Sequence, residues 1–591
     1  MTADQIAIFL ILFASLLLFA WGRLRYDLVA LIAMIATVAL GLVPADEALS
    51  GFGHPAVITV AAVLVISAAL RASGFVDMIA ARLMPLTATP TLHIGALTAT
   101  VAVLSAFMNN VGALAVMLPV AMATAGESDC PPAKILMPLA FGSILGGMTT
   151  LIGTPPNVII ATYRADVTGV PFGMFDFSPV GAAVAVAGVL FVTFVGWRLI
   201  PRQRRGSTGR AKLFEIGDYL IELRVCEGSP LIGQRIAALE SLTGDAVVPV
   251  GLVRGTSRVL HPAPWHLLEQ DDVLVVRAFP EAIDEILESQ RLEIVTGEVD
   301  ASELQSDNVT LVEAVVAPHS PLVGRRPRFL HLRTGHGLTL LAVSRQGAAL
   351  KTRVGDILFK PGDVLLLQAE RRDLAERLAD MGLLPLPERG LTLGAPRKVG
   401  IALAVFAGAL GANLLGLVPL AFAFLGAIVL YVVLNVLPLR DLYRDIDWPV
   451  IVLLGAMFSV GKALELTGGA ALIARELVDA TLGLPPVAVL AIILVITMFV
   501  SDLVNNAATA LLMAPIAVSV AERLGVSVDP FLMAVAVGAS AAFLTPIGHQ
   551  SNTLVMGPGG YRFGDYWRMG LPLEVLITAI AVPLIVTVWP L

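Results

Sequence analysis

"LVPADEALSGFGHPAVITVAAVLVISAALRASG", Leu42 to Gly74, aligns without a gap on "VLPLRDLYRDIDWPVIVLLGAMFSVGKALELTG", Val436 to Gly468. Pro44 meets Pro438, Pro55 meets Pro449 and Gly74 meets Gly468, all at an offset of 394. An internal repeat of this length constrains the architecture before any single residue is read. It also continues downstream. At 396 the amide pair Asn109-Asn110 of "MNNVGALAVMLP" meets Asn505-Asn506 of "VNNAATALLMAPIA". At 395 "LIGTPPNVII" (Leu151 to Ile160) meets "PIGHQSNTLV" (Pro546 to Val555), so Gly153 and Asn157 correspond to Gly548 and Asn552.

The repeated segments are those of a polytopic membrane protein. Of 591 residues 57% are hydrophobic and only 14% charged, far from a soluble average. Runs of about 18 apolar residues, near the length that spans roughly 30 Å of hydrocarbon, recur. They lie at Ile6 to Trp21, Leu28 to Val43, Ala56 to Leu70, Val180 to Trp197, Ile401 to Leu415, Leu420 to Leu437, Val450 to Leu464 and Leu571 to Val588. No cleavable signal is expected, because Arg23 and Arg25, and no small-residue cleavage site, follow the first run. Cys130 and Cys226 are the only cysteines, too few for a disulfide framework or a CxxC cage, and the eight histidines show no metal-ligand spacing. A net charge of -7 without a basic stripe interleaved with aromatics gives no sign of a nucleic-acid partner.

Each half reads as three spans, a hairpin with the Asn pair at its tip, a span broken at Gly153 or Gly548, and a last span. Five full crossings is an odd number, so the second half enters the membrane inverted. The clusters Arg23/Arg25, Arg71/Arg82, Lys134, "WRLIPRQRRGSTGRAK", Arg397/Lys398, Arg440/Arg444 and Arg562/Arg568 fall on one side of this arrangement. Loops such as "PADEALSGFG" on the other carry almost no lysine or arginine. By the positive-inside rule both termini are outside and the long middle loop is cytoplasmic, in a multi-pass protein of the plasma (inner) membrane.

That middle, about Gly206 to Arg397, alternates with period two in "YLIELRV", "DVLVVRA", "LTLLAVS" and "DVLLLQA", which indicates strands. It is itself duplicated: "SPLIGQRI" at Ser229 and "SPLVGRRP" at Ser320 are 91 apart, as are Asp272 and Asp363. Each copy, with a short helix, a hairpin and a closing helix ("AIDEILES", "DLAERLAD"), reads as a small α+β unit. The expected domains are 1-200 (first transmembrane repeat), 206-296 and 300-388 (the two α+β units) and 397-591 (second repeat). The units serve as packing or dimerisation modules on the plainer reading and as ligand sensors on the sharper one.

Asn pairs and Gly/Pro breaks at matching positions of inverted halves mark a transporter's midplane site, because non-helical chain in a bilayer must be satisfied by protein or by a watery cavity. An Asn amide offers an oxygen to a hard cation and an NH2 to an oxyanion. A single buried Asn is often only interhelical glue, but recurrence at the same offset from a broken span favours a site. Asp502 stands four residues before Asn506 where the first half has Ala106, and Lys462 stands where it has Ala68. An ionisable residue within a membrane is a functional candidate by default. The two are expected either to pair with each other or to leave Asp502 as a cation- or proton-carrying coupling residue.

The chain resembles the divalent-anion:sodium symporters (solute carrier family 13) of the ion-transporter superfamily, and more narrowly the permeases with two TrkA-C (RCK C-terminal) domains in the central loop. The two Asn hairpins, "GGMTTLIGTPPN", "TPIGHQSNTLVMGPGGYRF" and the paired "SPL(I/V)G" modules carry the resemblance over nearly the whole chain. It implies sodium-driven uptake of a small anion by an elevator movement in a homodimer. A first sodium site would use Asn110 with carbonyls around Ser105 and Gly153, and a second Asn506 with carbonyls around Ser501 and Gly548. Substrate would lie between Asn110, Thr154, Asn506, His549 and Gln550. The family's hydroxyl after each hairpin Asn is replaced by Val111 and Ala507, which weakens the case for a dicarboxylate and raises that for sulfate. His549-Gln550-Ser551 opposite Thr154-Pro155-Pro156 makes the pocket asymmetric.

Two other classes compete. A cation/proton antiporter would use Asp502; a non-transporting receptor would report through the TrkA-C modules, but has no need of two broken spans. No Ser/His/Asp constellation, Walker loop or GxGxxG is present, so enzyme chemistry is not expected, nor any organic cofactor beside the coupling Na+. The TrkA-C modules lack a Rossmann half, which leaves a small cytoplasmic ligand as their candidate regulator.

Overall fold

The computed structural model describes residues 1–21, 24–74, 89–127, 131–201, 220–243, 247–255, 257–260, 262–278, 286–287, 289–295, 309–318, 320–327, 330, 332, 336–345, 348–350, 356–370, 374–386, 396–439, 442–443, 446–481 and 483–591. Cys130, the basic residues Arg23, Arg82, Arg440 and Arg444, most of the 197–212 cluster, most of the first closing helix (282–289) and the expected boundaries at 206, 296, 300 and 388 lie outside them.

Among the described residues the protein is mostly helical, with seven helices long and apolar enough to cross a membrane. These are Ala45–Ala72, Pro90–Phe107, Ser178–Arg198, Trp448–Leu466, Pro486–Leu503, Asn506–Leu524 and Trp567–Val588. Three of them are hairpin arms that the apolar runs of the sequence did not include. The arms Pro90–Phe107 and Pro486–Leu503 are 18 residues each, about 27 Å at 1.5 Å per residue, so each is as long as a span.

Four of the expected runs instead form shorter apolar helices: Ala3–Phe19, Tyr26–Ala39, Lys398–Leu414 and Leu420–Val433. The runs beginning at Leu28 and Leu420 stop after 14 helical residues each, because Gly41 (φ 69°) and Asn435 (φ 55°) turn the chain into the left-handed region. Pro44 and Pro438 follow, and a proline cannot continue a helix.

Between the helical halves lie two antiparallel sheets. The first, in the order β3-β2-β4-β1-β5, is built from β1 (Leu220–Val225), β2 (Val247–Arg254), β3 (Ser257–Leu260), β4 (Val273–Ala278) and β5 (Leu292–Val295). The second, β10-β6-β9-β7-β8, uses β6 (Val309–Val316), β7 (Leu338–Arg345), β8 (Ala348–Ala349), β9 (Val364–Glu370) and β10 (Leu383–Leu386). The sheets repeat each other in detail at the 91-residue offset. Arg254 forks onto buried Asp272 at 2.8 and 2.7 Å, and Arg345 onto Asp363 at 2.7 and 2.7 Å. Ser229 donates to the Gln290 carbonyl and Ser320 to that of Met381, both at 2.6 Å.

Alternating side chains give each sheet two buried faces. One covers a local core, Leu223, Leu252 and Leu274 in the first sheet and Leu338, Leu365 and Leu367 in the second. The other, including Val250, Val275, Leu311, Val364 and Leu366, is continuous with the core of the helical body. The turn before β9 touches that body directly: Gly362 (φ 80°) packs so closely on Thr553 and Gly557 that a Cβ would stand 2.6 Å from the Thr553 carbonyl.

Candidate functional site

The site is built where two helical hairpins meet two bends. The hairpins are Pro90–Phe107 with Asn110–Glu127 and Pro486–Leu503 with Asn506–Leu524. At each tip the first amide of the Asn pair closes the backbone: Asn109 Oδ1 accepts from Val111 N–H at 3.1 Å and Asn505 Oδ1 from Ala507 N–H at 2.9 Å. This caps the outgoing helix and leaves the second amide of each pair, buried Asn110 and Asn506, to face the interior.

Each bend is held by a second Asn. Asn157 donates to the Thr150 carbonyl at 2.8 Å, and Asn552 donates to the Thr545 carbonyl at 3.1 Å and to that of Ala542 at 3.0 Å. A threonine ties each bend to its hairpin: the Thr150 hydroxyl donates to the Ala106 carbonyl, and Thr545 to that of Asp502 at 2.6 Å. Apart from the Asn552–Ala542 bond, each of these contacts recurs in the other half at 395 or 396, so the sequence repeat is also a repeat of side chain–backbone bonds.

Around Asn110 the contacts converge. His549 Nδ1 accepts the Ser551 N–H at 3.0 Å, so the ring is neutral and its proton sits on Nε2. Nε2 then donates to the Asn110 side-chain oxygen at 2.9 Å. The network thereby assigns the amide, whose NH2 faces Ser105 Oγ at 2.8 Å, the Gly153 carbonyl at 2.9 Å and the Ser143 carbonyl at 3.2 Å. Gly147 leaves room for this group, since a Cβ there would fall onto the amide. Three oxygens therefore surround one end of the amide. With its own oxygen turned inward they become four, a donor set that suits a hard cation such as sodium.

The counterpart residues are arranged differently. Ser501 Oγ donates to the Ala539 carbonyl at 2.6 Å, and Asn506 Oδ1 accepts from Ala507 N–H at 2.8 Å. A Cβ on Gly548 would stand 2.7 Å from the Ser501 carbonyl, so bend and hairpin touch here as they do in the first half. Thr154 precedes Pro155–Thr168 with its hydroxyl buried and without a hydrogen-bond partner. Thr154, Gly153 and Asn109 line a hollow with Val60, Ile152 and Pro155. Gln550 donates to the Tyr26 hydroxyl at 3.3 Å.

The expected Lys462–Asp502 pair is not formed. Lys462 sits 3.8 Å from Glu465 with half of its side chain exposed, the natural reach of a lysine near a helix end. Asp502 is buried, accepts the Leu544 N–H at 2.9 Å and stands against the carboxyl of Glu574. Glu574 accepts the Phe543 N–H at 3.3 Å. Sequence reasoning missed Glu574, although a lone carboxyl in the run Leu571 to Val588 was a visible signal. It also missed Ser143, which acts through its backbone and so leaves no side-chain signature.

Comparison with known proteins adds the family. A family described as citrate transporter (CitMHS) matches residues 16–538 and, in a second match, 488–591. An uncharacterized transporter of Synechocystis is 31% identical over 97% of this chain and 95% of its own length. An uncharacterized transporter of Escherichia coli is 31% identical over the full length of both chains (100% and 100%). Sodium/sulfate cotransporter 1 of Chlamydomonas reinhardtii is 28% identical over 63% of this chain and 43% of its own. With membrane-length helices and a match over most of its residues, the chain belongs to the citrate transporter family of membrane transporters.

Proposed function

We propose that the protein is a sodium-coupled symporter of a divalent oxyanion, sulfate or a dicarboxylate. The observation that carries this reading is the oxygen cluster at Asn110: the Ser105 hydroxyl and the Gly153 and Ser143 carbonyls, 2.8 to 3.2 Å from one end of a buried amide. The sodium ligands are Asn110, Ser105 and Gly153 in the first half and Asn506, Ser501 and Gly548 in the second. The anion lies between Asn110, Thr154, Asn506, His549 and Gln550, where the unpartnered Thr154 hydroxyl supplies a donor. Apolar Val111 and Ala507 at the tips favour compact sulfate, and relatives named sodium/sulfate cotransporters support both ion and anion.

The halves 1-200 and 397-591 act as inverted repeats, moving as an elevator within a homodimer. The sheets belong to two TrkA-C modules, 206-296 and 300-388, on the cytoplasmic side. Contact of Gly362 with Thr553 and Gly557 gives a regulator bound to these modules a direct hold on the helix after the second bend. Uptake of labelled sulfate into proteoliposomes under an inward sodium gradient, with unlabelled succinate and citrate as competitors, tests the reading. Sodium-driven uptake resistant to both competitors is expected. Block by succinate would reassign the substrate to a dicarboxylate, and uptake indifferent to sodium would refute the coupling.

A further inference from the structure

His549 lies 439 residues from Asn110 in the chain, yet together with the Ser143 and Gly153 carbonyls it decides which end of the Asn110 amide faces the oxygen cluster, and it alone of these can change from donor to acceptor. In the arrangement described above no two donors face each other. Ser551 N–H caps onto Nδ1, Nε2–H donates to the amide oxygen, and the two NH2 hydrogens are shared among the Ser105, Ser143 and Gly153 oxygens. That arrangement cannot bind a cation, because it presents the NH2 where the ion must sit. Turning the amide oxygen inward brings the NH2 against Nε2, and two donors then face each other. The contact is restored only if the imidazole moves its proton to Nδ1. Nδ1 is then a donor and no longer accepts the Ser551 N–H, so the cap on Gln550–Met556 is lost.

We infer that His549 is a positioning residue. It sets the orientation of the Asn110 amide and links cation binding in the first half to release of the helix cap at the second bend, by exchange of the proton between its two ring nitrogens. The inference rests on the reading of Asn110 as a sodium ligand. The ring stays neutral throughout: one N–H bond breaks at Nε2, one forms at Nδ1, and the amide hydrogens are unchanged. Ion occupancy on one side of the substrate locus is thus felt by the bend on the other side, through two hydrogen bonds. The first half has no such device, because the residues aligned with His549 and Ser551 are Thr154 and Pro156, an alcohol and an imide without N–H.

Nitrogen-15 NMR of the full-length protein with labelled histidine tests this directly, with His549→Gln used to assign the signal. In potassium chloride the Nδ1 resonance should show a lone pair and Nε2 a proton; saturating sodium chloride should reverse them. Saturation is monitored independently by the sodium-dependent rise in thermal denaturation temperature. A rise with no tautomer change overturns the role of His549 and leaves the sodium reading intact. Absence of any sodium effect on either readout removes the sodium reading and this inference together. Ser551→Pro provides a second test, since it deletes the N–H that pins Nδ1 and copies the proline of the first half. Half-saturating sodium should then fall about fivefold, the factor set by one hydrogen bond; an unchanged or higher value overturns the link.

Discussion

Gly147 closes the helix Pro132–Gly147 directly beneath the Asn110 amide, and the smallest substitution there tests whether that amide holds the ion. A Cβ at this position would overlap the end of the amide that lies in the oxygen cluster, its NH2 as assigned above, and come within 2.8 Å of Asn110 Cγ, so Gly147→Ala must push the amide out of the cluster. The helix offers little relief: every residue from Ile135 to Gly147 is buried, and Gly146 abuts the Ala102 backbone. Loss of one charge-assisted ligand corresponds to roughly 1.5–3 kcal/mol. Half-saturating sodium should therefore rise roughly 10- to 100-fold. Opposing this, alanine gains up to about 1 kcal/mol of helix propensity over glycine, so fold stability should change little. Gly426→Ala is the control, because nothing lies within 4 Å of its Cβ in the helix Leu420–Val433. The assay is sodium titration of thermal denaturation together with sodium dependence of uptake. A Gly147→Ala protein with wild-type sodium dependence would refute the placement of the ion at Asn110.

Other substitutions probe the supports of the site. Asn552→Ala strips the donor from the Thr545 and Ala542 carbonyls and should lower stability by about 1–3 kcal/mol in chemical denaturation, whereas Asn552→Asp should be worse because it faces two carbonyls with a charge. Asp502→Asn keeps the acceptor for Leu544 N–H and offers a donor to Glu574, so its denaturation temperature should equal or exceed that of the wild type; Asp502→Leu should fall below it. Arg345→Ala leaves the Asp363 carboxylate, 1% exposed, without its fork. It should cost a few kcal/mol, moderated by the water that already reaches the guanidinium, and limited proteolysis should open the second sheet first.

The repeat, the Asn tips and the bends were legible because they depend on local chemistry. An amide two residues before a helix N–H, or a glycine where backbones touch, leaves the same mark in both halves. The sheets were legible for a similar reason, since period-two alternation and the 91-residue duplication are both linear patterns. What stayed hidden was pairing between distant segments. Nothing in the chain places Glu574 beside Asp502, and the resemblance that put His549 and Asn110 around one substrate did not reveal their direct hydrogen bond; both meetings are set by how the hairpins pack against the bends. Lys462 misled because an intramembrane lysine and aspartate invite pairing, while the long lysine stem lets its charge escape to the helix end. Span lengths misled in a similar way. An apolar run shows where a helix can lie in lipid, but Gly41 and Asn435 decide where it stops.

Asn110 is the proposed anchor of the driving ion. The most direct test of that role is uptake of labelled sulfate into proteoliposomes holding wild-type protein or Asn110→Ala, under an inward gradient of sodium or of potassium, with folding checked by thermal denaturation. Wild-type uptake should be driven by sodium and not by potassium, and a folded Asn110→Ala protein should show none. Sodium-driven uptake by Asn110→Ala at the wild-type rate would contradict that role.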